Sequence, residues 1–264
     1  MEQTKIQIRN VKFRVDLSKD FYGPEFWKSY ESETWEPDTL SWIFRTVRKG
    51  TTFLDIGAAN GSLSLLASSL GALVKAYEPN PIVFDVLERN VKCNPRLRKR
   101  IKLHQAAIGT NYEKVTFTPN SSKFLTRMTI LDKTNHDLTE VVSFTEIISQ
   151  IQSEHILMKV DIEGAEFPLF SNRDVLQNLK SKSCKVFLSL HPGFQHNYRD
   201  LGLLNKIIGK FLFMRNSFDC IRLYQLMSQY CRIYRTSNQE IKNKRTFSML
   251  VMGGCHDYIL DFSS

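Results

Sequence analysis

Along this chain the apolar residues keep switching between the spacing of a strand and that of a helix. Short β-rich runs stand at residues 52–56, 73–77, 101–107, 156–162, 185–190 and 246–252. Between most of them lie helical stretches, at 36–49, 61–70 and 81–94, the first opened by Pro37 with Asp38 in its first turn. Strands alternating with helices of this length read as a mostly parallel sheet covered on both faces. The 264 residues, 42% hydrophobic, suffice for one sizeable core. The expectation is therefore a doubly wound α/β domain over 36–264, preceded by an aromatic-rich segment, 1–35, that packs on or caps it.

In such a sheet, ligands sit where strands end and helices begin. The stretch TFLDIGAANGSLSLLA, from Thr52 to Ala67, is such a place: an apolar run ends on Asp55, and Gly57 and Gly61 interrupt it before a helix resumes. Glycines there let the backbone turn sharply and approach a ligand, because a Cβ would obstruct it. A dinucleotide loop requires G-x-G-x-x-G, whereas here Ala59 stands at the second glycine and Leu63 lies in the helix behind. The next strand ends in VKAYEPN, which puts Glu78 at a strand terminus, where a carboxylate can accept from both ribose hydroxyls. Two acidic strand ends with glycines suit a nucleoside carrying a positive centre, and S-adenosylmethionine is such a ligand.

KVDIEGAE sets Asp161, Glu163 and Glu166 within one strand end and one helical turn. Acids are favoured at a helix start, and Gly164 permits a tight turn, so a structural account of these carboxylates stands beside a functional one. At the edge of a central strand Asp161 can orient a hydroxyl or the cofactor amine. A divalent metal on Asp161, Glu163 and a nearby histidine is chemically possible, although nothing in the spacing demands one. FLSLHPGF places His191 at the same edge, ahead of a Pro-Gly turn. A histidine there can take a proton from an alcohol, and it is the leading base; its alternative is a hydrogen-bonded turn residue.

FLDIGAANG, AYEPNP, HQAAIG and LMKVDIEGAEFPLF together resemble, in order and spacing, the successive motifs of the FkbM family of S-adenosylmethionine-dependent methyltransferases. The likeness covers roughly residues 36–253. It implies a Rossmann-like class I methyltransferase fold, with a seven-stranded sheet whose last strand is antiparallel; residues 246–252 are the candidate for that strand. It implies further that Asp55, Gly57 and Gly61 surround the methionyl part of the cofactor, that Glu78 holds the ribose, and that Gln105 and Ala106 lie near the adenine. The family often carries a glutamate two residues before the histidine, where this chain has Ser189. O-methylation of a sugar, glycan or other natural-product hydroxyl is the activity the resemblance favours.

The acceptor is less legible. Trp27, Trp35 and Trp42 stand with Phe21, Tyr22, Phe26 and Tyr30 in the first 42 residues. Aromatic faces such as that of Trp35 stack on sugars, but also on their own domain. Glu36 in WEPDTL and Glu163 are the acidic candidates for acceptor contact. A polar insertion at 111–143 is a candidate hairpin over the acceptor. The excess of 36 Lys and Arg over 27 Asp and Glu gives +9, concentrated in RTVRKG, NPRLRKRIK and IKNKRT. That supports a lesser reading in which the acceptor is RNA; a solvated face is the simpler account. A nicotinamide-dependent oxidoreductase and a catalytically idle module are the remaining alternatives. No apolar stretch approaches the roughly 18 residues of a membrane span. The alternating start lacks a signal-peptide centre, and five scattered cysteines without a C-x-x-C pair fit reduced thiols in a cytoplasm.

Overall fold

In the computed structural model the described residues are 3–18, 20, 22–110, 113–116, 138–162, 165–191 and 205–263. The elements run β1 (Gln3–Ile8), β2 (Val11–Asp16), α1 (Gly23–Glu31), α2 (Pro37–Thr46), β3 (Thr52–Ile56), α3 (Ser62–Ser69), β4 (Leu73–Tyr77), α4 (Pro81–Lys92), α5 (Pro95–Arg98) and β5 (Ile101–His104). They continue through β6 (Ala106–Gly109), β7 (Glu113–Thr116), β8 (Leu138–Ser143), α6 (Phe144–Ser149), β9 (Ile156–Val160), α7 (Glu166–Phe170) and α8 (Arg173–Ser181). The last are β10 (Lys185–Ser189), α9 (Asn205–Met227), β11 (Arg232–Arg235), α10 (Lys244–Met252) and β12 (Asp257–Asp261).

Seven strands form the main sheet in the order β11-β12-β10-β9-β3-β4-β5. β3, β4 and β5 pair in parallel, with Asp55 opposite Ala76 and Tyr77 opposite His104. β12 is antiparallel to both of its neighbours. With its helices this is the α/β class I methyltransferase arrangement expected from the motifs. The strand order reverses at β3, from which the chain builds outward through β4 and β5 before returning to β9. That reversal is where such sheets bind ligands.

The chain divides into two compact units, Met1–Ser143 with His155–Lys159, and Phe144–Glu154 with Val160–Ser264. In the first, the alternation of the opening residues folds as an antiparallel hairpin, β1 with β2. Ile6, Ile8, Val11, Phe13 and Val15 are buried, and exposed polar residues lie between them. Phe13 meets the rings of Trp27 and Tyr30, and Asn94 clasps the backbone N–H and C=O of Arg14 at 2.8 and 2.7 Å. Trp35 packs edge-on to Phe26 within the same aromatic group, so its ring is half-buried by its own segment.

Two expectations are corrected. Residues 246–252 are helical, inside α10, and the antiparallel strand is β12. A short apolar run such as TFSMLVM does not reveal its period; here Asn243 accepts the Thr246 N–H at 2.8 Å and starts a helix, which buries Phe247, Ser248 and Val251 on one side. The expected run 101–107 breaks at Gln105: β5 belongs to the main sheet, and β6 to a three-stranded sheet ordered β6-β8-β7. Of the insertion, β7 and β8 pair antiparallel; residues 117–137 lie outside the described set.

Candidate active site

The candidate cofactor site of the first unit is built at the exits of β3 and β4. After Ile56 the backbone passes through left-handed conformations at Gly57, Ala59 and Gly61 (φ +83°, +49° and +80°). The N–H groups of Gly57 and Ala58 both donate to the Tyr77 carbonyl at 3.0 Å, which locks the loop to the end of β4. Glu78 extends the clamp: its Oε2 accepts the Ala59 N–H at 3.1 Å and its Oε1 the Asn80 N–H at 2.9 Å. A left-handed conformation is uncommon for a residue with a Cβ, and the clamped loop holds Ala59 in it. A carboxylate can accept about four hydrogen bonds, so serving the loop and a ribose are compatible tasks.

Asp55 is buried at the end of β3 and accepts the Ser64 Oγ–H at 2.6 Å from the first turn of α3. The buried Tyr30 hydroxyl donates to the Ser62 carbonyl at 3.0 Å, and Asn90 Nδ2 donates to the Asn60 carbonyl at 2.9 Å. Burial, then the charges of Asp55 and Glu36, push the Tyr30 phenol well above its ordinary range, so it stays a donor. Asn60, 1% exposed, accepts the Ser62 N–H at 3.2 Å through Oδ1, which fixes its amide orientation. Among the described residues its buried Nδ2 has no hydrogen-bond partner. This donor set fits S-adenosylmethionine: α3's opening amides and the Asn60 amide suit a carboxylate, Asp55 suits an ammonium, and Glu78 suits a ribose diol.

At Gly61 a packing constraint is added to the left-handed turn. A Cβ there would come well inside 3.0 Å of Leu87 Cδ1, in the buried core under α4, so helix packing as well as the turn disfavours a side chain. Gln105 is exposed immediately after β5, beside Glu78, whose N–H donates to the His104 carbonyl at 3.1 Å. Ala106 is buried as the first residue of β6. Glu36 sits at the start of α2 with φ +39° and does not cap the helix amides; its Oε2 accepts the Thr39 hydroxyl at 2.9 Å.

In the second unit, Asp161 follows β9 directly, His191 stands two residues past β10, and Glu166 opens α7. Glu166 is fully buried; its Oε1 accepts the Ile162 N–H at 3.0 Å and lies 3.1 Å from His191 Nδ1. The same Nδ1 is 3.6 Å from Asp161 Oδ1. The structure brings Asp161 and His191 close together, and with them Glu166, to which the sequence reading gave no role in the site. The sequence signal for it was an acid in the KVDIEGAE run, one helical turn behind Asp161. Glu163 lies outside the described residues. At Ser189, where the family often has a glutamate, the hydroxyl donates to Asp257 Oδ1 at 2.6 Å, so the adjoining strand β12 supplies a carboxylate at that position. Asp161, Glu166 and His191 each offer one donor atom within 4.8 Å of the others, a set a divalent ion could use. As they stand, the imidazole and the buried carboxylate satisfy each other directly.

The sequence profile of the Methyltransferase FkbM domain matches residues 55–225. Over 51 residues the chain is 43% identical to ribosomal protein L11 methyltransferase of Bacillus cereus (strain Q1), a stretch that is 19% of this chain and 16% of that protein. Among solved structures it is similar to the methyltransferase FkbM from Methylobacillus flagellatus KT, with 14% identity and a TM-score of 0.42 over 93% of this chain and 62% of that one. It is also similar to WbdD, with 12% identity and a TM-score of 0.43 over 85% of this chain and 38% of that one.

Proposed function

Because this chain belongs to the FkbM family of S-adenosylmethionine-dependent methyltransferases, we propose that it methylates a hydroxyl of a sugar, glycan or other natural-product acceptor, with His191 receiving the proton. The family assignment replaces the nicotinamide alternative. When bound, S-adenosylmethionine supplies an activated methyl that leaves sulfur for the acceptor oxygen by in-line displacement.

The residues of the first unit hold the cofactor: Asp55, Gly57 and Gly61 around its methionyl part, Glu78 at the ribose, and Gln105 and Ala106 beside the adenine. The observation that carries the oxygen-acceptor reading is the pairing of His191 with a buried carboxylate. With Nδ1–H donating to Glu166, the lone pair of the neutral imidazole falls on Nε2, the atom assigned to accept the hydroxyl proton, and Glu166 and Asp161 stabilise the imidazolium that results. Trp35 and Glu36 are assigned to the acceptor, the ring for an apolar sugar face and the carboxylate for its hydroxyls; Glu163 is assigned there on its position in the motif. The four buried cysteines, Cys93, Cys184, Cys220 and Cys231, are all free, which suits a reducing cytoplasm.

The test begins with calorimetry. S-adenosylhomocysteine should bind saturably and NAD should not. Methyl transfer from labelled donor to a panel of sugar and polyketide alcohols follows. His191→Ala should lower transfer by about 10²-fold or more, the scale of general-base catalysis, with S-adenosylhomocysteine affinity unchanged. Undiminished transfer in that variant would remove His191 from the mechanism, and labelling of RNA but no alcohol would move the acceptor class.

A further inference from the structure

At the opposite ends of the same strands, away from the cofactor loop, the first unit gathers positive charge with no acid to balance it. Between Glu88 and Glu113 the chain has no Asp or Glu. Arg98, Lys99, Arg100 and Lys102 are exposed around the end of α5 and the start of β5. Lys102 is the cross-strand partner of Lys75 on β4. Lys49 joins them, because the turn before β3 is bonded to the turn before β4 through the Gly50 N–H and the Gly71 carbonyl at 3.2 Å. The Val74 N–H donates to the Arg100 carbonyl at 2.8 Å and closes the third strand onto the same edge. Among the described residues none of these cations forms a salt bridge, whereas Arg89 and Lys92 on the preceding helix α4 are paired with Asp85 and Glu88.

Two features separate this from an ordinary solvated face. Like charges set directly opposite on neighbouring strands destabilise a sheet, and Lys75 and Lys102 are so placed. Burial, and then Lys102, hold the Lys75 ammonium below its ordinary range. In the middle of the cations, Leu73 begins β4 with 54% of its surface exposed.

We infer that this edge is a docking surface for an anionic lipid bilayer, with the cations against headgroups and Leu73 entering the interface. A lipid surface uses both features at once. A phosphate backbone would use the charges but not the leucine. Each cation near an anionic leaflet strengthens binding about fivefold. The enzyme would then rest on the membrane by one sheet edge with its cofactor loop at the other end of the strands.

Co-sedimentation of the full chain with vesicles of phosphatidylcholine, alone or mixed with phosphatidylserine, tests this. Binding should require phosphatidylserine and be released by salt. Arg100→Glu with Lys102→Glu should weaken it by about 25-fold or more, with S-adenosylhomocysteine affinity unchanged as proof of folding. Leu73→Ser should also weaken vesicle binding. Equal binding to both vesicle types, absence of binding, or indifference to the charge reversal would overturn the inference. A salt-dependent affinity for duplex RNA that exceeds that for vesicles, and that ignores Leu73→Ser, would replace the lipid with nucleic acid.

Discussion

Replacing Gly61 with alanine tests the construction of the loop between β3 and α3. Two costs arise. Gly61 sits at φ +80°, where an L-residue costs about 1–2 kcal/mol. The backbone cannot relax easily, because its N–H donates to the Ala58 carbonyl and its carbonyl accepts the Leu65 N–H, both at 2.9 Å. The added methyl also overlaps Leu87 Cδ1 in a fully buried position, and overpacking of that kind costs about 1–3 kcal/mol. The stiffer unfolded chain offsets about 0.4–1 kcal/mol. The net expectation is a destabilisation of roughly 2–4 kcal/mol, which lowers the melting temperature by about 5–15 °C. Gly50→Ala is the control: φ is +87°, but nothing lies within 4 Å of the new methyl, so only the backbone cost applies. Circular dichroism on both variants isolates the overlap. Leu87→Val in the Gly61→Ala background should recover part of the loss, giving a coupling of about 0.5 kcal/mol or more. If Gly61→Ala is no worse than Gly50→Ala, or if the two sites are additive, the packing argument fails.

Other consequences are separately measurable. The Ser18 hydroxyl, at 2.6 Å, holds the Asp16 carboxyl below its ordinary value of 3.8. A depressed folded-state value stabilises above the unfolded one and is lost as pH falls through the folded one; urea midpoints should therefore drop more steeply below about pH 4 in the wild type than in Asp16→Asn, and parallel curves would contradict this. Burial pushes the Cys184 and Cys220 thiols up to about 12, while Cys255 is half-buried. Brief alkylation of the native protein should label Cys255 first, and early labelling of Cys184 would show the packing around it to be open. Because the imidazole of His191 already pairs with Glu166, extensive chelation should leave methyl transfer unchanged; a loss restored by magnesium would assign the Asp161, Glu166 and His191 donors to an ion.

The local signals in the chain decided its fold class and the turn that follows β3. Alternation in β1 and β2, the Asp55 and Glu78 strand ends and the interposed glycines are short-range patterns, and each reflects a backbone requirement that neighbouring residues satisfy. A reading from spacing failed where one local pattern serves two structures: residues 246–252 are as apolar as a strand, and the Asn243 cap together with burial on one side made them a helix. Tertiary structure alone decided what lies across chain separations that no motif spans. It set Glu166 against His191, supplied Asp257 to Ser189, put Leu87 where Gly61 must lack a side chain, and gathered Lys49, Lys75 and Lys102 at one sheet edge. These pairings depend on strand order and register, and so arise only once the sheet is assembled.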